Sequence, residues 1–223
     1  MGLRRVGIYG GTFDPVHNGH LEVARRVLHF FALDEVIFVP ACVPPHKRNA
    51  SITSAFHRFA MVALATEADR GLLVSTVELD APDRPYAVNT VERLRETFGD
   101  QTELFFIVGA DSWLEITTWK EWQRLLTLCH LIVVARPGFD LKAFDPAKIP
   151  VTVIDSTGRG CRQLTNMSTM GGEDSVMLTD EVMVDVSATA IRAIARAHEF
   201  EKLKSMVPLQ VAAYIEKHGL YRN

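Results

Sequence analysis

Gly10-Gly11-Thr12-Phe13-Asp14-Pro15-Val16-His17-Asn18-Gly19-His20 joins a short apolar run, Val6 to Tyr9, to the helix-like stretch Leu21-Glu22-Val23-Ala24-Arg25-Arg26-Val27-Leu28. A strand that ends in paired glycines and opens a helix is the first half of a βαβ unit, and the chain repeats that alternation. Apolar, β-branched runs recur at Val36 to Val39, Leu72 to Val77, Leu104 to Val108 and Leu131 to Val134. Each is short, nearly continuous, and ends in Gly, Pro or a polar residue, the pattern of strands buried on both faces. Helix-period segments fall between them, at about 19–32, 54–68, 88–98 and 119–128. This alternation predicts an α/β fold, doubly wound around a mainly parallel sheet with right-handed crossovers. A helical section at about 187–223 follows, interrupted by Pro208 and closed by Gly219 as a C-cap after Lys217-His218.

The 223 residues, 48% of them hydrophobic, suffice for one substantial core, and a single domain over 1–223 is expected. A formal net charge of -3 argues against a nucleic-acid partner, which would show as a basic stripe. Cys42, Cys129 and Cys161 are odd in number and widely spaced, so neither a disulfide framework nor a zinc knuckle is indicated. No run approaches the roughly 18 apolar residues of a membrane span, and a cytoplasmic location is expected. Segments 138–150 and 156–175, rich in Gly, Pro, Ser, Thr and Asp, read as loops, the second long enough to carry a lid. Oligomeric state is not legible.

In doubly wound sheets a ligand binds beyond the carboxyl ends of the strands, where the strand order reverses. The unusual residues sit at those ends: Gly10-Gly11, then Pro40 to Lys47, Gly109-Ala110-Asp111 and Arg136-Pro137-Gly138. Paired glycines let backbone N–H groups come close to a ligand, and the helix N-terminus that follows favours negative charge, so phosphate is the natural guest. There is no G-x-G-x-x-G after the first strand and no Gly-Lys of a Walker A loop. Positive charge must come from elsewhere. His17 and His20, three apart, can both face the strand end and stabilise a phosphoryl oxygen. The plainer alternative is that His17 caps the helix and His20 is a core histidine; a metal site would need further ligands that no spacing suggests. Asp14-Pro15 reads as a local turn.

Far downstream, Val186-Ser187-Ala188-Thr189-Ala190-Ile191-Arg192 opens the last helical section. Ser187 or Thr189 can cap its N-terminus, and Arg192 lies one turn further in, suited to phosphate.

The eleven residues from Gly10 to His20 resemble the G-x-F-D-P-x-H-x-G-H signature of the nucleotidylyltransferase superfamily, whose H-x-G-H motif is shared in form with class I aminoacyl-tRNA synthetases. The synthetase branch is disfavoured, because the chain is short and Lys202-Leu203-Lys204-Ser205-Met206 is not K-M-S-K-S. Val186 to Arg192 resembles the I-S-S-T-x-I-R motif of these enzymes, with Ala188 lacking the second hydroxyl. Within the superfamily, Val43-Pro44-Pro45-His46-Lys47 is similar to the P-P-H-K loop of bacterial nicotinate-nucleotide adenylyltransferases. Pro85-Tyr86-Ala87-Val88-Asn89-Thr90 is similar to their S-Y-T-x-x-T segment, with Ala87 for Thr. Gly109-Ala110-Asp111, Thr118-Trp119-Lys120 and Arg136-Pro137-Gly138 match G-x-D, the pyridine-stacking Trp and R-P-G in order, with Lys120 where Tyr is usual.

The resemblance implies a Rossmann-like nucleotidylyltransferase fold and transfer of AMP from ATP to nicotinate mononucleotide, giving the deamido dinucleotide and pyrophosphate. It implies His17, His20 and Arg192 as catalytic residues. ATP is expected at Gly10, Gly11, Thr12, Phe13, His17, His20, Asp111, Arg136, Ser187, Thr189, Ile191 and Arg192. Nicotinate mononucleotide is expected at His46, Lys47, Tyr86, Ala87, Val88, Thr90, Trp119 and Lys120, with backbone N–H groups beside Trp119 reading the carboxylate. Mg2+ is implied on the ATP phosphates, without protein side-chain ligands. The alternatives are a phosphopantetheine adenylyltransferase, a cytidylyltransferase, or a nucleotide sensor that has lost catalysis.

Overall fold

The computed structural model describes residues 2–42, 52–81, 85–135, 152–155, 175–179 and 186–222, with 152–155 described by their backbone alone. The strands are β1 (Arg4–Gly11), β2 (Glu35–Pro40), β3 (Leu72–Val74), β4 (Thr102–Gly109), β5 (His130–Val134), β6 (Thr152–Asp155) and β7 (Ser175–Thr179). They form one seven-stranded sheet in the order β3-β2-β1-β4-β5-β7-β6. Every adjacent pair is parallel, as the alternation of elements predicts. The order runs outward from β1 in one direction and from β4 in the other, so the reversal lies between these two neighbours.

The helices are α1 (Asn18–Phe30), α2 (Ala55–Thr66), α3 (Ala87–Phe98), α4 (Ala110–Leu114), α5 (Trp122–Leu126), α6 (Ala188–Arg196), α7 (Phe200–Met206) and α8 (Leu209–Lys217). Side chains alternate across the sheet, and the two faces carry separate apolar cores. On one face Phe105, Ile107, Ile132 and Val134 pack with Leu21, Val27, Met61, Ile191, Leu203 and Val211 from α1, α2, α6, α7 and α8. On the other, Leu104, Phe106, Val108, Leu131 and Val133 pack with Val91, Trp113 and Leu125 from α3, α4 and α5. Helix α1 shows why the sequence folds this way: Leu21, Ala24, Val27 and Phe30 are buried at helical spacing.

Three expectations need correction. The strand expected at 72–77 ends at Val74, because the Thr76 hydroxyl donates to Asp80 Oδ2 at 2.5 Å and the Thr76 carbonyl accepts the Asp80 N–H, closing a local turn. The helix expected at 119–128 is broken up. After α4 comes a 3₁₀ turn at Ile116–Thr118, then extended Trp119 and left-handed Glu121, and α5 begins only at Trp122. Trp119 turns toward the core there, edge-on to Phe106 at 6.3 Å. Finally, β6 and β7 were not expected, and part of the supposed loop at 156–175 gives way to β7 at Ser175, where a short buried run slots between β5 and β6. At the C-terminus, Gly219 adopts φ 59, and Leu220 N–H reaches back to the Ile215 carbonyl, the cap that the sequence predicts.

Candidate active site

A cavity of about 690 Å³ opens at the carboxyl ends of β1, β4 and β5, at the reversal of strand order. Its floor is Tyr9 to Gly11 and Ile107 to Gly109, and its rim includes His17, His20, Asp111, Ser187, Thr189 and Arg192. The two glycines leave room for aromatic rings. A Cβ on Gly11 would stand 2.7 Å from the Phe13 ring, and one on Gly10 would stand 3.3 Å from Phe106. Phe13 itself is buried, with φ 49, and packs edge-on to Tyr9 and His20. At Gly109 a Cβ would meet nothing within 4 Å, so a side chain there would project into open space at the cavity.

His17 is the N-cap of α1. Its Nδ1 accepts the His20 N–H at 3.3 Å, and His20 Nδ1 accepts the His17 N–H at 3.3 Å. The two readings of this pair are therefore compatible: His17 caps the helix and still lines the cavity. Because both Nδ1 atoms accept from backbone, each neutral ring carries its proton on Nε2, an assignment that follows from the hydrogen bonds. The rings stack with centroids 3.6 Å apart. Two Nε2–H donors thus lie side by side at the cavity.

Helix α6 brings a second N-terminus to the same space. Ser187 is its N-cap by position, yet its hydroxyl makes no capping bond, which differs from the expected Ser cap. Neither α1 nor α6 has an acidic residue in its first turn, so the positive ends of both dipoles are left for an anion. Arg192 is held at the rim by its own donors: one Nη bonds the Asp14 carbonyl at 2.8 Å and the other bonds Thr189 Oγ1 at 3.1 Å. Ile191 is different. Its side chain is fully buried in the core, so only its backbone can face a nucleotide.

The other expected face lies along α3 and the 3₁₀ turn. Tyr86 precedes α3, and Lys120 Nζ lies 4.8 Å from the centre of its ring. Val88 points into the core and is 1% exposed. The buried Thr90 hydroxyl is engaged with Glu78 Oε1 at 2.8 Å, so its part at a nucleotide would be indirect. The Thr118 and Trp119 N–H groups already donate to the Glu115 and Ile116 carbonyls, so these two cannot read a carboxylate. His46, Lys47 and Arg136 lie outside the described residues.

Asp14 and Pro15 form the local turn that the sequence suggests, but the Asp14 carboxylate bonds distant groups and not local backbone. It accepts from Tyr221 Oη at 2.8 Å and from the Thr53 N–H at 3.3 Å, tying the loop to the C-terminus and to the approach to α2. Burial, reinforced by the Asp14 charge, pushes the Tyr221 phenol far above its ordinary range.

Sequence reasoning missed Arg58 and Glu78 altogether. Arg58 is 1% exposed and donates to four carbonyls, those of Thr12, Ala41, Cys42 and Thr53. Burial lowers its pKa, against the opposing charges of Asp14 and Glu78 among others. Burial raises the Glu78 pKa, opposed by hydrogen bonds from Thr90 and the Cys42 N–H and by the charge of Arg58. A signal for Arg58 was present: it opens the buried stripe Arg58-Met61-Val62-Ala65 of α2, where an apolar residue belongs. Glu78 carries no such mark.

The model of the cytidylyltransferase-like family matches residues 8–194. Among curated proteins, a "probable nicotinate-nucleotide adenylyltransferase" of Moorella thermoacetica is 38% identical over 98% of this chain and 92% of its own length. One from Chromobacterium violaceum is also 38% identical, over 98% of this chain and 99% of its own. Among solved structures, the nicotinic acid mononucleotide adenylyltransferase of Plasmodium falciparum complexed with NaAD superposes with a TM-score of 0.72, covering 98% of this chain and 97% of that one at 17% identity. At that identity the likeness is one of fold. No helix among the described residues is long and apolar enough to cross a membrane.

Proposed function

We infer that this chain, which belongs to the nicotinate-nucleotide adenylyltransferase family, transfers AMP from ATP to nicotinate mononucleotide and releases pyrophosphate. The observation that carries the reading is the reciprocal His17–His20 cap, set beside the uncapped N-terminus of α6 at the carboxyl ends of β1 and β4. The arrangement gathers hydrogen-bond donors and two positive dipole ends around a space large enough for a nucleotide.

The mononucleotide phosphate oxygen attacks the α-phosphorus of ATP, and the bond from that phosphorus to the bridging β-phosphate oxygen breaks. Pyrophosphate leaves with the electron pair. The nucleophile is already an anion, so no general base is required, and catalysis reduces to alignment and charge stabilisation. His17 and His20 offer Nε2–H to the developing charge, and Arg192 faces the same phosphates from α6. Asp111 lies in the first turn of α4 at the rim, which supports assigning it to the ATP ribose hydroxyls. ATP enters as its magnesium complex. Among the described residues no group of three or more His, Cys, Asp or Glu is placed to hold a metal. On the acceptor side, Tyr86, Trp119 and Lys120 are assigned to the pyridine and its carboxylate, with His46 and Lys47 on its phosphate.

The deciding measurement is pyrophosphate release from ATP and magnesium with nicotinate mononucleotide, nicotinamide mononucleotide or phosphopantetheine in separate reactions. Release with nicotinate mononucleotide at the highest kcat/KM is expected. Release with phosphopantetheine alone would overturn the reading.

A further inference from the structure

One buried side chain bonds both Ala41-Cys42, which follow β2, and Thr53, which precedes α2. Arg58 donates to the Ala41 and Cys42 carbonyls, at 3.1 Å for Cys42, and through Nε to the Thr53 carbonyl, at 2.9 Å. A third branch reaches the Thr12 carbonyl of the glycine-rich loop at 2.7 Å. The Cys42 residue is also held from its other side: its N–H donates to Glu78 Oε2 at 3.3 Å, while Glu78 Oε1 accepts from Thr90 on α3 at 2.8 Å.

We propose that Arg58 and Glu78 are positioning residues for the transfer, a pair that grips Cys42 by its carbonyl and its N–H and so sets the spacing between the glycine-rich loop, the flanks of segment 43–51 and α3. The inference rests on the assignment of this site to adenylyl transfer between two nucleotides. The chemistry suits the task. A guanidinium presents several donors in a rigid planar fork, so it can hold carbonyls from three chain segments in one fixed relation, which an ammonium on a flexible stem cannot do. Arg58 is buried and Glu78 half-buried, and each satisfies backbone groups that the fold draws away from water. The branches differ in what they hold. Among the described residues the Glu78 carboxylate bonds Cys42 and Thr90 of α3, on the acceptor side, whereas Arg58 also reaches Thr12, beside the ATP loop.

That difference makes the roles separable. In the full chain, Glu78→Gln can supply one acceptor oxygen and turns its amide N–H groups toward one of the two donors that Glu78 now receives. It is expected to raise KM for nicotinate mononucleotide about tenfold while leaving KM for ATP within about twofold. Arg58→Lys keeps the charge but loses the fork, and is expected to raise both KM values. Amide hydrogen exchange should quicken in Glu78→Gln at Cys42, whose N–H the carboxylate accepts, and in Arg58→Lys at both Cys42 and Thr53 through loosening of the chain, since the guanidinium bonds their carbonyls. A residue that served stability alone would lower the unfolding midpoint and leave both KM values unmoved. Glu78→Gln with unchanged KM values and unchanged exchange at Cys42 overturns the proposal, and it decides alone if Arg58→Lys fails to fold. A wild-type protein that releases no pyrophosphate with nicotinate mononucleotide refutes the adenylyl-transfer assignment instead, and the exchange comparison then decides the grip on Cys42 by itself.

Discussion

His17 and His20 cap each other: each Nδ1 accepts the other's backbone N–H at 3.3 Å, and the rings stack with centroids 3.6 Å apart. One pair of side chains therefore ends a helix and presents two Nε2–H donors at the cavity, so its structural and catalytic parts can be separated by substitution. His17→Asn retains an acceptor for the His20 N–H and removes the Nε2 donor. We expect an unfolding midpoint close to wild type with kcat lower by about two to three orders of magnitude. His20→Ala should lose turnover to a similar extent, and near-normal turnover in either folded variant would remove the pair from catalysis.

Gly109 has φ -74 and ψ 153, so any residue can adopt its backbone, and a Cβ there meets nothing within 4 Å. Gly109→Val should therefore fold normally yet fill part of the cavity proposed for ATP. An increase of about tenfold or more in KM for ATP is expected, equivalent to about 1.4 kcal/mol of lost binding. Unchanged ATP affinity, measured by calorimetry, would place the nucleotide elsewhere.

Tyr221 donates to Asp14 Oδ1 at 2.8 Å, and Asp14 in turn supports Arg192 through its carbonyl. Tyr221→Phe leaves that buried carboxylate oxygen without its phenol donor and should destabilise the fold by about 1–3 kcal/mol. The phenol's raised pKa gives a second signature. The folded state keeps the proton where the unfolded state has released it, so this contribution is present below the ordinary tyrosine pKa and is lost as pH climbs past it. Urea titrations at rising alkaline pH should show that loss in the wild type and not in Tyr221→Phe.

Glu78 gives the corresponding prediction in acid. Burial raises its pKa above the ordinary 4.5, so the folded state favours the protonated form. The stabilising contribution is then complete below the ordinary value and declines as pH rises through the raised one. Glu78→Gln lacks that decline. The midpoint of the variant minus that of wild type should therefore grow from about pH 4 upward and then level off. A difference that stays flat across this range would show that burial does not perturb the carboxyl.

Lys120 stands over Tyr86 with Nζ 4.8 Å from the ring centre, and it is exposed. If its charge meets the nicotinate carboxylate, Lys120→Ala should lower kcat/KM for nicotinate mononucleotide about threefold to tenfold, with little change for the amide nucleotide. Raising the ionic strength should shrink the effect. Equal losses for acid and amide would assign Lys120 to packing on Tyr86.

Much of the fold is legible because its signals are local. Val6 to Tyr9, Val36 to Val39, Leu104 to Val108 and Leu131 to Val134 are apolar runs of strand length, and each forms a buried strand. β7 escaped because Val176-Met177-Leu178 is a short run amid polar, Gly-rich sequence, and only its neighbours in the sheet make it a strand. The region around the three tryptophans escaped for another reason: its spacing suits a helix, but Trp119 turns toward Phe106 and breaks it. At the site, His17, His20 and Arg192 stood out as polar residues in unusual places. Arg58 hid inside an apolar stripe, and Val88 and Ile191 looked like ligand contacts although their side chains face the core.

By itself the sequence determined the repeating strands and helices, the glycine pair at the end of the first strand, and the histidines of the first helical turn. These depend on propensity and spacing over a few residues. Tertiary structure alone decided that Arg192, 178 residues from Asp14, would bond its carbonyl, and that α1 and α6 would turn their N-termini to one cavity. It also decided where the buried Arg58 and Asp14 and the half-buried Glu78 find partners. The reason is physical: a parallel sheet whose strand order reverses between β1 and β4 brings distant carboxyl ends together, and no local pattern records which ends those are.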